Sequence, residues 1–498
     1  MAEVTTSGDI LAEARTHYEN GESAKAQELV LSAWIELLID GYVSQTDTLL
    51  AQLPDALSDD VDVLSVRACC ARLRGDRDGA LLLVARARAR RSDTDESPLF
   101  SLFLEDDENL LYTAVTRSLE VIMAGTVRGR SHAYAVYLVG WTLLRLRKDP
   151  MKAHQLLEAA RADAELRGLK TLSSRAATNR AFALAFAGRF GDALQILRST
   201  PILHGEWRMY DGGIEGFTSA FVHYWRGELD AAQITLDAVI AENSETPYGH
   251  LARVFNAFVT ARIGGPHAQA IAHLELRRLP EHTSLGVPWR VWRATAECVL
   301  AEAHGRTDTA VRLAKFVLAA DDVPVARVIA ANVIRSSGDS HGAQNALEGF
   351  DPQRTPGYLT AFVEMTRALM ANDAGLDNAA HLRLERALDA AAAESAYLPF
   401  LIDSTGAREL LAQHASWGSS HEAVIGSLLA RRSDSVSARD RELSPREQQV
   451  LEYMRTSLPA SEIAEALFVS VNTVKTHQRA IYRKLGVANR REAVKYRL

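Results

Sequence analysis

The sequence predicts an all-α protein, a long superhelix of antiparallel helix pairs followed by a small four-helix domain. A short pattern of Gly, four residues and Ala recurs along most of the chain. The last 56 residues, 443–498, contain several helix start signals and one strongly basic helical segment. No long segment alternates apolar and polar residues with period two, so we expect no sheet.

The recurring pattern indicates an internal repeat. Its copies begin at Gly21, Gly75, Gly188, Gly227, Gly265, Gly305, Gly338 and Gly375, with Lys148 in the glycine position of one further copy. From residue 148 onward the intervals are 40, 39, 38, 40, 33 and 37 residues. Such a period is typical of a helical solenoid. The glycine would permit a left-handed turn between two helices, and the alanine would let the second helix lie close to the first.

A second small residue usually stands seven positions before the glycine. It is Ala14, Ala68, Ala181, Ala220, Cys298, Ala331 or Ala368, whereas Trp141 and Phe258 occupy it in two copies that we expect to pack differently. Together these positions resemble the tetratricopeptide repeat, whose usual length is about 34 residues. We therefore expect about nine or ten lengthened, irregular helix pairs over residues 1–430, which form a sensor or interaction domain. Residues 431–442 are expected to form a polar linker.

The C-terminal segment contains three consecutive helix patterns with a tight turn before the last. Ser444, Pro445 and Glu447 supply a capping serine, a proline at the first helical position and an acid that reaches back to the cap. The apolar residues of the three helices are Val450, Leu451 and Met454, then Ile463, Ala464 and Leu467, then Val471, Val474, Ile481 and Leu485. This layout predicts a helix-turn-helix.

The third of these helices has a cationic face opposite its apolar face. The cationic face consists of Asn472, Lys475, Thr476, Arg479 and Arg483. Lys and Arg donate to guanine edges or phosphates, Asn bridges an adenine edge, and the Thr methyl contacts a thymine methyl. We expect this face to bind double-stranded DNA; the alternative is an ordinary solvated surface.

The run SVNTVKTHQRAIYRKLGVANRREAV, with SPREQQVLEYM before it and SEIAEAL between, resembles the LuxR-type DNA-binding domain over residues 443–498. The resemblance implies a four-helix module with helix three as the recognition helix. It implies that Lys475, Thr476 and Arg479 face the major groove. It also implies that the side chains near the phosphates are Thr473, Lys484 and Arg490.

Three departures from the family pattern concern turns and ends. Ser457 stands where the family usually ends helix one with Gly, and Pro459 stands where a serine usually opens helix two. The fourth helix is the customary dimer contact in the family, and the chain stops at Leu498, slightly short of the usual pattern. The resemblance therefore implies a homodimer. Because the fourth helix is slightly short, this departure concerns the part of the dimer contact that the fourth helix would form.

Charge is distributed unevenly along the chain. Residues 441–498 contain 11 basic and 6 acidic residues, a net charge of +5, whereas the other residues contain 45 and 57, a net charge of −12. This asymmetry favours nucleic acid as a partner of the C-terminal end. The N-terminus lacks a signal-peptide pattern and no apolar run is long enough to span a bilayer, so we expect a cytoplasmic protein with no membrane partner.

Catalytic and cofactor patterns are missing from the sequence. The cysteines Cys69, Cys70 and Cys298 make neither a disulfide framework nor a metal-ligand spacing. There is no GxxxxGK[ST], GxSxG or HExxH motif, so we expect neither an enzyme nor a cofactor. Regulators that join such repeats to a LuxR-type domain usually carry an ATPase module in front, and this chain resembles their sensor and output parts alone.

Aromatic residues between positions 200 and 292 mark a candidate ligand site in the superhelix. The candidates are Trp207, Tyr210, Trp225, Trp289 and Trp292, near two Gly-containing connectors, ILHGEWRMYDGGIEG and EHTSLGVPWR. The resemblance to maltose-regulon activators implies an oligosaccharide, since aromatic rings stack on sugars; the alternative is that these rings are core. The sequence thus predicts a transcription regulator that senses a small molecule or a protein partner. The second hypothesis is an interaction scaffold with weak or non-specific DNA binding.

Overall fold

In the computed structural model the described residues form helices joined by turns and loops, with no strand and with one isolated β-bridge between Ser284 and Val287. The described residues are 6–90, 97–200, 211–320, 323–402, 406–430, 449–451, 453–454, 458–467, 474, 478, 481 and 490. The chain divides into two compact units, Met1–Thr405 and Gly406–Leu498. The predicted all-α class is confirmed.

The first half of unit one contains thirteen helices in its described residues. They are α1 Ser7–Glu19, α2 Ser23–Ser32, α3 Trp34–Ile39, α4 Val43–Ala51, α5 Asp55–Ser58, α6 Val61–Leu73, α7 Arg77–Arg88, α8 Pro98–Leu104, α9 Glu108–Met123, α10 Arg130–Leu146, α11 Pro150–Leu166, α12 Lys170–Phe186 and α13 Phe190–Ser199. Local signals begin several of them: the Asp60 carboxylate, for example, accepts hydrogen bonds from the amides of Asp62 and Val63 at the start of α6.

The rest of unit one continues the same helix pairs. Its helices are α14 Ile214–Arg226, α15 Leu229–Glu242, α16 Pro247–Ile263, α17 Pro266–Leu276, α18 Trp289–Ala303, α19 Thr307–Ala319, α20 Pro324–Ser336, α21 Ser340–Ala346, α22 Gly357–Asp373, α23 Asp377–Ala392 and α24 Leu398–Leu401. Unit two begins with α25 Ala407–Trp417 and α26, residues 422–430, and contains α27 Ala460–Ala466. No helix among the described residues is long and apolar enough to cross a membrane.

The even-numbered helices from α10 to α22 are the first helices of their pairs and form a row. Each packs against its odd-numbered partner and also against the next even-numbered helix, from α10 with α12 to α20 with α22. These helices are buried over most of their length, whereas their partners bury one stripe. We call this row the inner row.

The predicted close-packing positions are confirmed in the pairs. All seven small residues that stand seven positions before the glycine are completely buried: Ala14, Ala68, Ala181, Ala220, Cys298, Ala331 and Ala368. The copy with Trp141 keeps the close approach through its neighbour Gly140, where an added Cβ would lie 3.1 Å from Leu157 Cγ. Phe258 is completely buried against Phe255, with ring centroids 5.2 Å apart.

The predicted left-handed turn is confirmed at seven of the eight glycines. Their φ angles lie between 67° and 95° at Gly21, Gly75, Gly188, Gly227, Gly305, Gly338 and Gly375. The prediction is wrong at Gly265, where φ is −76°, because Pro266 begins α17 directly and Gly265 is its N-cap. Because the helix starts directly after the glycine, its buried face shifts by one residue relative to the other copies, and Gln269 is buried in place of Ala270. In the copy with Lys148, left-handed backbone falls on Arg147 and Asp149.

We expect Gly305→Ser to destabilise unit one by about 1 to 2 kcal/mol. The backbone of Gly305 has φ 67°, a left-handed conformation that costs an L side chain about that much, and nothing lies within 4 Å of an added Cβ. The same substitution at Gly265, whose backbone is extended and whose surroundings are equally open, is expected to change stability by less than about 0.5 kcal/mol. Midpoints of urea unfolding of the full chain, followed by circular dichroism, measure the difference. Equal losses in the two variants would contradict it.

Candidate functional site

The described residues of the C-terminal segment share a small apolar core. Its members are at most 3% exposed and are Val450, Leu451, Met454, Ile463, Ala464, Val474 and Ile481. They come from each of the three helix patterns that the sequence predicts. Val474 and Ile481 are seven residues apart, a spacing that places them on one face of a helix. Val471 and Leu485, predicted on the same face, lie outside the described residues.

Helix α27 begins without a side-chain cap. Its N-cap is Pro459, whose backbone is extended at φ −70° and ψ 163°, and whose carbonyl accepts a hydrogen bond from Ile463 N at 3.0 Å. A serine there would accept a hydrogen bond from an amide of the first turn, and proline cannot. The other departing turn residue, Ser457, lies outside the described residues.

The side chain of Arg490 joins the C-terminal part of this domain to the end of its first helix. Its Nε donates to Met454 O at 2.8 Å and its Nη1 donates to Leu458 O at 2.8 Å. Its Nη2 lies 3.5 Å from Tyr453 O. Carbonyls at the end of a helix lack intrahelical donors and carry partial negative charge, so a guanidinium satisfies and stabilises them. Sequence reasoning did not foresee this contact; the implied phosphate contact of Arg490 stays a prediction.

The other predicted DNA-binding residues cannot be placed in the structure. Asn472, Thr473, Lys475, Thr476, Arg479, Arg483 and Lys484 all lie outside the described residues. Their described neighbours Val474 and Ile481 are both completely buried, and Gln478 between them is half-buried.

A second candidate site is a cavity of about 630 Å³ within unit one. The helices of the inner row from α10 to α18 line it, together with the turn after α6 and the connector between α17 and α18. Its surface is mostly apolar. We call it the inner cavity.

Eight aromatic rings besides Trp141 form much of the lining of the inner cavity. They are Phe182, Phe186, Phe217, Phe221, Tyr248, Phe255, Trp289 and Trp292. All but Trp289 contact one another edge to face or tilted, with centroids 5.3 Å apart for Phe217 and Phe255 and 5.5 Å apart for Phe182 and Tyr248. These contacts fix the rings as a continuous wall, since edge-to-face pairs are favoured geometries.

Arginines also line the inner cavity. The lining includes Arg72, Arg74, Arg77, Arg145 and Arg147. The Arg145 guanidinium carbon lies 3.8 Å above the centre of the Trp141 ring, a cation–π contact. The side chains of Arg72 and Arg147 are only 11% and 7% exposed. The lining thus combines aromatic rings with buried cations.

The connector of residues 280–288, which we call the strap, crosses from the inner row to an early part of the chain. Its tip turns through left-handed backbone at Leu285 and Gly286. The Leu285 amide donates to Asp106 Oδ1 at 2.7 Å. Arg145 Nη1 donates to Leu285 O at 3.3 Å, and Arg147 Nη1 donates to Gly286 O at 3.0 Å. The arginines that line the inner cavity therefore also hold the strap.

Close packing explains why the tip of the strap carries a glycine. An added Cβ on Gly286 would lie 3.0 Å from both Leu111 Cδ1 and Leu146 Cδ2, and its φ is 77°. Both the backbone conformation and the space exclude a larger residue without strain. The Gly-containing connector was visible in the sequence; its docking site on α9 and α10 was not.

His250 lines the inner cavity in its neutral form. Burial lowers its pKa to about 4, and the nearby Arg253 cation adds to the effect, against a smaller opposing influence of Glu245. The Arg253 Nη1 lies 3.4 Å from His250 Nδ1, and the ring packs edge-on to Trp289 at 5.3 Å. At neutral pH His250 therefore adds no charge to the lining.

The predicted ligand-binding residues have different places in the structure. Trp289 and Trp292 line the inner cavity. Trp225 does not; it is completely buried and its ring lies 4.5 Å from that of Tyr358, in the core. Trp207 and Tyr210 lie outside the described residues. Sequence reasoning missed Trp141 and the arginines as lining residues. The one available signal was that Trp141 stands at a repeat position where the other copies usually have a small residue.

No group of three or more His, Cys, Asp or Glu side chains among the described residues is arranged to hold a metal ion. Cys69, Cys70 and Cys298 are buried free thiols. Burial raises the pKa of Cys298 to about 12, so its thiolate is not populated at neutral pH.

Comparison with solved structures finds helical proteins of low similarity. The crystal structure of yeast Tom70 aligns with a TM-score of 0.33 and 12% identity, over 81% of this chain and 95% of that one. The structure of Naa15/Naa10 bound to HypK-THB aligns with a TM-score of 0.19 and 13% identity, over 96% and 88% of the two chains.

Sequence relatives match short parts of this chain. The CsgBAC operon transcriptional regulatory protein of Escherichia coli K12 is 43% identical over 54 residues, 11% of this chain and 25% of the relative. The HTH-type transcriptional regulator MalT of Yersinia pestis is 40% identical over 73 residues, 15% of this chain and 8% of the relative. The matches therefore span a quarter or less of these relatives.

Residues 441–497 match the sequence family described as bacterial regulatory proteins, luxR family. The match contains every member of the apolar core and also Arg490. The C-terminal end of this chain is thus a LuxR-type helix-turn-helix domain of the luxR family of bacterial regulatory proteins.

Proposed function

We propose that this chain is a cytoplasmic transcription regulator that binds specific DNA through its luxR-family domain and senses a small molecule in the inner cavity. The observation that carries the proposal is the family match over residues 441–497, together with the relatives' names, which describe transcriptional regulators. The inner cavity supports the sensing part, because its volume of about 630 Å³ lies within the range of small-molecule sites. No catalytic step is part of the proposal.

The burial of Val474 and Ile481 supports the proposed DNA-binding face. Positions 475, 476 and 479 of a helix fall on the side away from these two, so we propose that Lys475, Thr476 and Arg479 contact base edges in a major groove. Asn472 and Arg483 belong to the same face. Thr473 and Lys484 are proposed to contact phosphates, which fix the register of the domain on DNA.

For Arg490 we favour a structural role over a phosphate contact. Its guanidinium already donates to carbonyls at the end of the first helix. A phosphate would have to compete with these hydrogen bonds, which lie in a partly buried place where they are stronger than in water. The residue therefore acts on DNA binding by holding the domain together.

Sensing requires a ligand that binds one conformation of unit one better than another. We propose the strap as the element that differs between the two conformations. Its residues 280–285 and Val287 line the inner cavity, and its tip is held by Asp106, Arg145 and Arg147. Ligand binding would change the population in which two luxR-family domains of a homodimer engage two half-sites.

We expect Lys475→Ala and Arg479→Ala each to weaken binding to a specific operator by about 1 to 3 kcal/mol and to relax the base preference. The operator is selected with the wild-type chain from a random duplex library, and affinity is measured by fluorescence anisotropy. Arg312→Ala, which removes an exposed cation from α19, is the control and leaves affinity unchanged. Unchanged affinity and preference in both helix-three variants would contradict the assignment. Binding that weakens equally for all sequences with salt would indicate a non-specific scaffold.

We expect Arg490→Met to loosen the domain rather than to alter base preference. Loss of hydrogen bonds to a charged group costs about 1 to 3 kcal/mol, so amides of residues 450–467 should exchange with deuterium faster in the full chain. Affinity for specific and random DNA should fall by the same factor. Arg479→Ala serves as the matched control, with unchanged exchange in that segment. Unchanged exchange in Arg490→Met, with weaker DNA binding, would favour the phosphate contact.

A further inference from the structure

We propose that the ligand of the inner cavity is an amphipathic organic anion, with an apolar ring-containing body against the aromatic wall and an acidic group towards Arg72, Arg145 and Arg147. The inference rests on the proposed sensing function and specifies the class of molecule. It departs from the oligosaccharide that the sequence resemblance implies. Three features of the lining support it: its mostly apolar surface, its few acceptors for the hydroxyl groups of a sugar, and its buried cations.

The apolar surface calls for an apolar body. Eight aromatic rings besides Trp141 line the inner cavity, and most of the surface that bounds it is apolar. A cavity of about 150 Å³ holds one benzene molecule, so about 630 Å³ accommodates a body of several rings. Transfer of such a body from water onto these rings is favourable in proportion to the apolar area that becomes buried.

The charged side chains that line the inner cavity are five arginines and two glutamates, and Thr283, Ser284 and two histidines add polar groups. The arginines can donate to an anion, but they accept nothing from a sugar hydroxyl. Each sugar hydroxyl that loses water needs a donor or an acceptor, and an unmatched one weakens binding. The described lining includes no Asn or Gln side chain. Its carboxylates, Glu245 and Glu281, belong to exposed residues, so they remain in contact with water.

The buried charges of the lining are positive. Arg72 and Arg147 are almost completely buried, and Arg145 is partly buried over the Trp141 ring. The acidic groups that pair with Arg72, Arg74 and Arg147 lie outside the lining; they are Asp106, Asp47 and Glu108. These carboxylates offset part of the positive charge, and the guanidinium groups that line the cavity can still donate charge-assisted hydrogen bonds to an anion.

The same arginines connect the ligand to the strap. Arg145 and Arg147 donate to carbonyls at the tip of the strap, at Leu285 and Gly286. An anionic group near these guanidiniums either adds to those hydrogen bonds or competes with them. In both cases occupancy changes how firmly the strap is held.

The test uses the full chain and two fluorescent probes that differ only in charge, 1-pyrenebutyrate and 1-pyrenebutanol. We expect the acid to bind about 10- to 100-fold more tightly than the alcohol, the range of one charge-assisted hydrogen bond. Acetate, an anion without a body, and maltotriose, a neutral sugar, should not displace the bound acid. Equal affinity of acid and alcohol would overturn the anion assignment, and displacement by maltotriose would restore the sugar.

Variants locate the binding in the inner cavity. Leu251→Trp fills the cavity from a half-buried lining position and should abolish binding of both probes, whereas Leu274→Trp, at an exposed position outside the lining, should leave it unchanged. Arg145→Met keeps the contact with Trp141 and should lower the affinity of the acid to that of the alcohol. Binding of the acid that survives both Leu251→Trp and Arg145→Met would place it elsewhere and overturn the proposal.

A second pair of variants removes a charge at a more exposed position, so the test does not depend on whether Arg145→Met folds. Arg77 and Arg86 both lie on α7, both are 48% exposed and both pair with an aspartate, but only Arg77 lines the inner cavity. Arg77→Met should weaken the acid several-fold and leave the alcohol unchanged, and Arg86→Met should affect neither. Equal effects of these two substitutions would contradict the proposal.

The outcomes separate this inference from the proposed function. Probe binding is measured without DNA, so failure of the anion preference leaves the DNA-binding proposal intact. If the acid binds as expected but saturating acid changes operator affinity less than two-fold, the cavity assignment stands and the sensing role fails.

Discussion

The close approach of paired helices at one small, completely buried residue governs the construction of unit one. Ala181, Ala220, Ala331 and Ala368 bring four helices of the inner row, α12, α14, α20 and α22, against their partners, and the row packs against itself from α10 to α22. Protein interiors are close-packed, so each such contact fixes an interaxial distance. Where Trp141 replaces the small residue, Gly140 restores the approach one position earlier, which frees the Trp141 ring to line the inner cavity.

The inner cavity is a consequence of this construction. Because the inner row is buried on most faces, its helices carry large aromatic residues, and eight of these buried rings besides Trp141 line the inner cavity. The strap contributes residues 280–285 and Val287 to the same lining. Its carbonyls need donors once removed from water, and Arg145 and Arg147 supply them. In the proposed sensor, the same two side chains would both hold the strap and contact the ligand.

Local spacing in the sequence predicted the repeat, the turn glycines and the apolar core of the luxR-family domain. It failed at Gly265, because Pro266 starts its helix at once and moves the buried position from Ala270 to Gln269. It could not foresee the strap, since Leu285 meets Arg145 across 140 residues, nor the capping role of Arg490, which reaches Met454 across 36. Trp225 was predicted to bind a ligand, whereas its side chain is completely buried in the core.

The buried arginines of the inner cavity are stabilised by groups that already pair with them. A guanidinium removed from water is destabilising unless it is paired, and here the partners Asp106 and Glu108 and the strap carbonyls provide that pairing when the inner cavity holds no ligand. An anion that binds there meets cations already oriented by these partners, so little rearrangement is needed on the protein side. The same pairing limits affinity, because the anion shares its donors with the strap. A site built in this way suits reversible sensing, in which moderate affinity and a coupled structural element matter more than tight retention.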